Sequence, residues 1–339
     1  MDTIHIALAF CDQSGTYARH AAVTVASIFD NTKSKVCVHI LHDETLTENN
    51  REQLSRLASS FNQEINFIDI SSEMKVFMVK ELEKFTNGPE RGMLFRLLMP
   101  KLISEPKAIY MDCDVIVDMD IRELWEIDLQ TKSLAVVLDV WTLDYIEKGT
   151  KLSKRLAMLW DSMNIPHNSY FNSGVLLMNL DKLRQDYDLC SSVITFFREF
   201  NKIVLLPDQD YLNYLFVEDR VVIDERFNSI RTNNITKDNY KNKIWHLAGG
   251  AKSYRVYSRP YVDELYWKYF ALTPYCPDRE TLIHTIMTDL SSKKYTHLHS
   301  SDCVKRIKEQ IYENVFKGHI WLVIPMFFEN ITRKLRGRK

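Results

Sequence analysis

The chain lacks the features that define several simple protein classes. Its six cysteines (Cys11, Cys37, Cys113, Cys190, Cys276 and Cys303) form no C-x-x-C pair and follow no regular spacing. That excludes the usual zinc-ribbon pattern and a disulfide framework. A chain of 339 residues buries enough core to need no such staples, so free thiols in a reducing compartment are expected. No long apolar run occurs either. The longest, Ile320 to Phe328, has nine residues and contains Pro325, whereas a bilayer-spanning helix takes about 20. The opening stretch MDTIHIALAFCD has an acid at position 2 and neither a basic leader nor a cleavage site; the expected location is the cytoplasm. A net charge of −1 argues against a general polyanion binder, so no nucleic-acid partner is expected. No G-x-G-x-x-G or P-loop follows the first apolar run, which leaves a dinucleotide or Walker-type site unsupported. Internal repeats and low-complexity linkers are also missing.

What remains is ordinary globular composition, with 45% hydrophobic and 26% charged residues, arranged in alternating strand and helix signals. Ile4 to Phe10 is a nearly continuous apolar run, the pattern of a strand buried on both faces. A polar turn, Cys11 to Gly15, leads to helical spacing over Thr16 to Asp30, with Asn31 as a stop. Val36 to Leu41 predicts a second strand, Thr47 caps a helix through Ala58, and Ile65 to Ile70 predicts a third strand. This β-α-β-α-β order implies a parallel sheet with right-handed crossovers, in which ligands bind at the carboxyl ends of the strands. Residues 73–100 read as helical. Further strands are expected at Lys107 to Met111, Ser133 to Asp139, Phe171 to Leu180 and Ile244 to His246. Pro207 to Asp210 opens a helix.

The organising stretch is Ala108 to Asp120, AIYMDCDVIVDMD. At the end of a buried strand, the alternation of side chains lets Asp112 and Asp114 reach one point. Two carboxylates so close are costly without a cation between them, and a hard divalent ion suits oxygen ligands. The same spacing also forms helix caps and turns, so the motif needs its surroundings. Asp12, Asp112, Asp114, Asp139, Asn172, Asp208 and His246 all end or begin apolar runs on one predicted edge. Arg96 and Lys252 bring positive charge, and Lys252 lies in a glycine-bearing loop suited to phosphate. His246 alone is more often a structural histidine; beside the two acids it becomes a third ligand through a neutral imidazole. Gly174, early in its strand, suggests close approach of a backbone or ligand. Together these residues describe a divalent ion holding a diphosphate, with a lysine on the far side.

Six segments, in order from residue 4 to about residue 254, carry a family resemblance: IALAFCD, MLFRLLMPKL, IYMDCDVIVDMDIRELWEIDL, YFNSGVLLMNL, LPDQDYLN and HLAGGAKSY. The chain resembles glycosyltransferase family 8, the retaining sugar-nucleotide transferases that include bacterial lipopolysaccharide galactosyl- and glucosyltransferases and glycogenin. The resemblance implies an α/β fold of the GT-A type: a Rossmann-like, mostly parallel sheet flanked by helices, with a helical C-terminal appendage. It implies transfer of galactose or glucose from UDP-galactose or UDP-glucose to a saccharide acceptor, in lipopolysaccharide or other cell-surface glycan synthesis. By that resemblance Asp112, Asp114 and His246 hold Mn2+ (or Mg2+). Gly249 and Lys252 contact the diphosphate; Ala9, Asp12 and Tyr17 fall around uracil. Arg96, Asp139, Asn172, Ser173, Asp208 and Gln209 surround the donor sugar, with Gln209 near the anomeric carbon and Gln209, Asp208 and Asp139 as the implied catalytic residues. Cys113 is a spacer whose backbone reaches the ribose. Many members carry two acids in the first turn, where this chain has Cys11-Asp12.

Two competing functions leave different marks. A sugar-nucleotide nucleotidyltransferase would carry a glycine-rich, basic loop after the first strand, and Cys11 to Gly15 is not one. A non-catalytic carbohydrate-binding relative would have lost the Asp-x-Asp or His246. The expected division is a nucleotide-sugar domain over residues 1–258 and a helical region over 259–339. Residues 317–339 carry a net +5 against −6 for the rest. With the aromatic residues before it, that basic end suits either an interfacial helix on the inner face of a membrane or a docked helix with a solvated end.

Overall fold

The computed structural model describes residues 2–147, 151–200, 204, 206–230, 235–236, 239–249, 252–253 and 261–291. The first half alternates as expected: β1 (Ile4–Phe10), α1 (Ala18–Asn31), β2 (Val36–His42), α2 (Glu48–Ser60) and β3 (Glu64–Asp69). Thr47 caps α2, its hydroxyl accepting from the Asn50 N–H at 3.2 Å. There follow β4 (Lys107–Met111), β5 (Val115–Val117), β6 (Leu134–Leu138), β7 (Phe171–Asn179), β8 (Arg220–Val222) and β9 (Ile244–His246). Seven strands form one sheet in the order β3-β2-β1-β4-β7-β6-β8, and β5 pairs with β9 in a small second sheet. The sheet is mostly parallel and flanked by helices, as the apolar runs predict.

One strand departs from that pattern. β7 runs antiparallel to both β4 and β6. Its first residues therefore lie at the edge where β1, β4 and β6 end. Reversal of this one strand brings Asn172, Ser173 and Gly174 beside Asp112 and Asp139, an arrangement that parallel geometry would have placed a strand length away, about 20 Å.

Residues 73–100 are not one helix. They form short 3-10 turns, including Pro89–Leu98, interrupted by one-turn helices. Gly88, Pro89, Gly92 and Pro100 are poor residues for a continuous α-helix. The backbone also presses on β1: a Cβ at Gly92 would stand 3.0 Å from Cys11 N and 3.3 Å from Phe10 Cα. The segment thus crosses the carboxyl edge of the sheet and sets Arg96 there.

By contacts the chain divides into Met1–Met287 and Thr288–Lys339. The helix Val262–Phe270 belongs to the first unit because it is tied to α1. Tyr266 Oη lies 2.7 Å from His20 Nδ1, Asn31 Nδ2 donates to Tyr269 Oη at 2.8 Å, and Lys268 pairs with Asp30 at 2.9 Å. Tyr275 Oη donates to Asn50 Oδ1 at 3.1 Å. The basic tail, Val315 to Lys339, lies outside the described residues. No helix among the described residues is long and apolar enough to cross a membrane.

Candidate active site

β4 ends at Met111, and the next three residues turn across the mouth of the sheet. Asp112 N donates to Gly174 O at 2.8 Å, which fastens the turn to β7. β5 then pairs antiparallel with β9, setting Val115 opposite His246, while Leu247 N donates to Asp114 O at 2.9 Å. Two residues remote in sequence are thereby brought to one point. His246 Nε2 lies 3.3 Å from Asp114 Oδ1 and 3.6 Å from Asp112 Oδ2. One donor atom from each of Asp112, Asp114 and His246 falls within 4.8 Å of the others.

The other side of the imidazole decides what Nε2 can do. His246 Nδ1 is 2.9 Å from Asn228 Oδ1, and an amide oxygen can only accept. Nδ1 therefore carries the proton, and Nε2 presents a lone pair toward the two acids when the ring is neutral. Asn228 is itself oriented by its amide, which donates to Asn172 Oδ1 at 2.9 Å. Gly174 leaves the space for this: a Cβ there would stand 2.2 Å from His246 Cε1 and 2.8 Å from Asp112 Oδ2. The close approach read from that glycine is to these two side chains. Burial opposes the charge on Asp114, but His246 and Lys252 outweigh it and hold its carboxyl well below the usual range. Burial likewise would lower His246, yet Asp114 and Asp112 carry the net shift upward. Lys252 Nζ is ion-paired to Asp114 Oδ2. Positive charge is thus already drawn to the two acids, and two carboxylates with one imidazole suit a hard to borderline divalent ion such as Mn2+ or Mg2+.

A second group adjoins the first. Arg96, 4% exposed, donates from Nη2 to Asp112 Oδ1 at 2.8 Å and from Nη1 to Ser173 O at 2.6 Å, and pairs through Nε with Asp208 at 3.3 Å. Tyr110 Oη also donates to Asp112 Oδ1 at 2.7 Å, beneath the guanidinium. Burial raises the Asp208 carboxyl against the pull of Arg96. Gln209 Nε2 donates to Asp139 Oδ2 at 3.0 Å, while its Oε1 accepts from Asn172 Nδ2 at 3.1 Å and Ser173 N at 3.0 Å. The amide is locked in orientation.

The helix Pro207–Leu215 explains the segment LPDQDYLN. Its first turn offers Asp208 and Gln209 to the site, while Asp210 and Asn213 hold the helix in place. Asp210 accepts from Leu206 N at 2.9 Å and from Tyr170 Oη at 2.5 Å. Asn213 brackets Phe171, accepting from its N–H and donating to its C=O, both at 2.8 Å. The sequence points to the first pair; Tyr110, Asp210, Asn213 and Asn228 emerge only from the geometry.

The first turn is arranged differently. Asp12 is 1% exposed; its Oδ1 accepts from Tyr17 N at 2.6 Å and its Oδ2 from Asn50 Nδ2 at 2.7 Å. It therefore caps the approach to α1, and burial raises its pKa against those bonds. Ala9 lies behind it, with Cys113 Sγ 4.0 Å from its carbonyl oxygen. The Cys113 thiol is buried and is pushed far up by that burial and by its flanking acids. Gly249, exposed, turns the loop after β9 with a φ of +78°. Cys11, Cys37, Cys113, Cys190 and Cys276 are free thiols.

Comparison with protein families matches residues 6–254 to Glycosyl transferase family 8, nearly three-quarters of the chain. The chain belongs to that family. Among curated relatives, the Lipopolysaccharide 1,2-glucosyltransferase of Escherichia coli is 30% identical over 225 residues, 64% of this chain and 60% of that protein. General stress protein A of Bacillus subtilis is 24% identical over 282 residues, 76% of this chain and 90% of that protein. Galactosyltransferase LgtC, solved in complex with donor and acceptor sugar analogs, superposes with a TM-score of 0.65 at 21% identity, over 83% of this chain and 100% of that one. The GT-A fold follows from that superposition, and glycosyl transfer from family membership.

Proposed function

We propose that the protein transfers galactose or glucose from UDP-galactose or UDP-glucose to a saccharide acceptor with retention at the anomeric carbon. The observation that carries this reading is the adjacency of two built groups: a three-donor cluster (Asp112, Asp114, His246) and a locked amide (Gln209) on the same sheet edge. The first suits a metal–diphosphate and the second a sugar. The names of the glucosyl- and galactosyltransferase relatives support the choice of hexose.

In this reading Asp112, Asp114 and His246 hold Mn2+ or Mg2+, which when bound neutralises the diphosphate leaving group. Lys252 turns from Asp114 to a phosphate oxygen, and the Gly249 turn lets backbone N–H groups approach the same group. Tyr17 stacks on uracil, Ala9 and Asp12 close the base pocket, and the Cys113 backbone reaches the ribose. Arg96, Asp139, Asn172 and Ser173 orient the hexose hydroxyls. Gln209 Oε1 and the Asp208 carboxylate stabilise the positive charge that develops at the anomeric carbon.

The bond from the anomeric carbon to the phosphate oxygen breaks with its electron pair going to UDP. The acceptor hydroxyl approaches on the same face, passes its proton to a phosphate oxygen, and forms the new glycosidic bond. A double displacement would require a carboxylate nucleophile on the opposite face. Asp139 and Asp208 are both engaged with neighbouring side chains, so the front-face route is favoured. The expected acceptor setting is lipopolysaccharide or another cell-surface glycan.

A donor screen following UDP release, with anomeric proton NMR of the product, tests the proposal. Metal-dependent UDP release from UDP-galactose or UDP-glucose, and a product of unchanged anomeric configuration, are expected. Inversion, or no turnover of any UDP-hexose with either metal, would contradict it.

A further inference from the structure

A second cluster of metal-binding side chains lies toward the N-terminal ends of β1 and β2, away from the carboxyl edge that carries the active site. We propose that His5, Cys37 and His39, with Glu105 as fourth donor, form a structural transition-metal site of the zinc class. Its chemistry and its place in the sheet are separate from glycosyl transfer.

The sheet register builds the cluster. β1 and β2 are parallel, with His5 directly opposite Cys37 and Ala7 opposite His39. Residues two apart on a strand share a face, so His5, Cys37 and His39 all project from one side. Their donor atoms lie within 4.8 Å of one another. His5 Nδ1 is 3.1 Å from His39 Nε2 and 3.9 Å from Glu105 Oε1. Donor atoms around a tetrahedral Zn2+ stand about 3.3–3.8 Å apart, given bonds of about 2.0–2.3 Å. His5, Cys37 and His39 stand within reach of that spacing, and Glu105, 3.9 Å from His5 Nδ1, is the carboxylate beside them.

Two further observations favour an ion over a plain imidazole pair. Burial is right, with His39 and Cys37 in the core and His5 and Glu105 partly open, a path for loading. The charges also balance, because one thiolate and one carboxylate neutralise a divalent ion. Thiolate and imidazole ligands prefer zinc to the harder ions suited to Asp112 and Asp114. Bound there, zinc ties β1, β2 and the segment before β4 together at the end of the sheet where the site chemistry does not reach.

Cobalt titration of the chelator-treated full-length protein tests this. A near-ultraviolet thiolate-to-Co2+ band saturating at one equivalent, and bleached by Zn2+, is expected. Asp114→Asn should keep the band and Cys37→Ser should lose it. His5→Gln, changed at a partly exposed position, should stay folded by circular dichroism, weaken Co2+ binding about tenfold or more, and keep wild-type transferase activity. Zn2+ should raise the melting temperature of wild type and Asp114→Asn more than that of His5→Gln at the same concentration. No thiolate band in the wild type, or an unchanged band and affinity in His5→Gln, overturns the assignment; the second readout stands whether or not Cys37→Ser folds.

Discussion

An alanine at position 174 would place a methyl group in the space that His246 and Asp112 share, and neither neighbour can withdraw without leaving the cluster. Gly174→Ala should therefore abolish metal-dependent UDP-sugar turnover with the circular dichroism spectrum kept, and destabilise the protein by about 1–3 kcal/mol through overpacking. Asn228 acts one step further out, through the His246 tautomer. Asn228→Ala should weaken Mn2+ binding about 10–100-fold, as for other outer-shell partners, measurable by calorimetry. At the sugar end, Gln209→Ala should lower kcat about 10²–10³-fold, the cost of losing one oriented electrostatic partner, with UDP affinity unchanged. Asp112, Asp114 and His246 are legible in sequence because each ends or follows an apolar run. Asn228 is not, since a lone Asn in a loop carries no period. Asp12 shows a different limit: its type and place are readable, but its commitment to the Tyr17 N–H and Asn50 is a matter of three-dimensional contact.

Among the elements, buried strands were the most readable. β1, β2, β4 and β7 are near-continuous apolar runs, and all four lie inside the sheet. β8 is three residues, Arg-Val-Val, half exposed at the sheet edge, too short and too mixed to show a pattern. The direction of β7 was equally hidden, because an apolar run looks the same read either way. At the β6–β8 edge one carboxylate does much of the fastening. Asp219 accepts from Ser133 N at 3.1 Å, from the Ser133 hydroxyl, and from Tyr187 Oη at 2.7 Å. Burial would raise its pKa, but the Ser133 and Tyr187 bonds outweigh it and the net shift is downward. The stability it adds is thus fully present above the ordinary carboxylate pKa of about 3.9 and is lost as pH falls through its lower folded value. Asp219→Asn should cost about 1–2 kcal/mol at pH 7 in urea unfolding, and the gap to wild type should close in strong acid.

At the scale of the molecule, the family match ends near residue 254 while the first compact unit continues to Met287. The difference has a physical basis in the Tyr275–Asn50–Asp12 chain of hydrogen bonds. It joins the residues after 260 to the first turn, where the base pocket is proposed. Tyr275→Phe should therefore raise the KM for UDP-sugar a few-fold, by loss of one bond of about 1 kcal/mol, and leave kcat unchanged in steady-state assays. Composition could not reveal this link, because the aromatic residues after 260 look like any helical appendage until their partners on α1 and α2 are seen. The proposed transfer depends on one coupling, between the Asp112–Asp114–His246 cluster and the nucleotide. Calorimetric titration of UDP into the protein, with Mn2+ and then with a chelator, measures that coupling directly. The account predicts binding that requires Mn2+ in the wild type and disappears in Asp112→Asn; equal UDP affinity with and without metal, or retained Mn2+-dependent binding in Asp112→Asn, would contradict it.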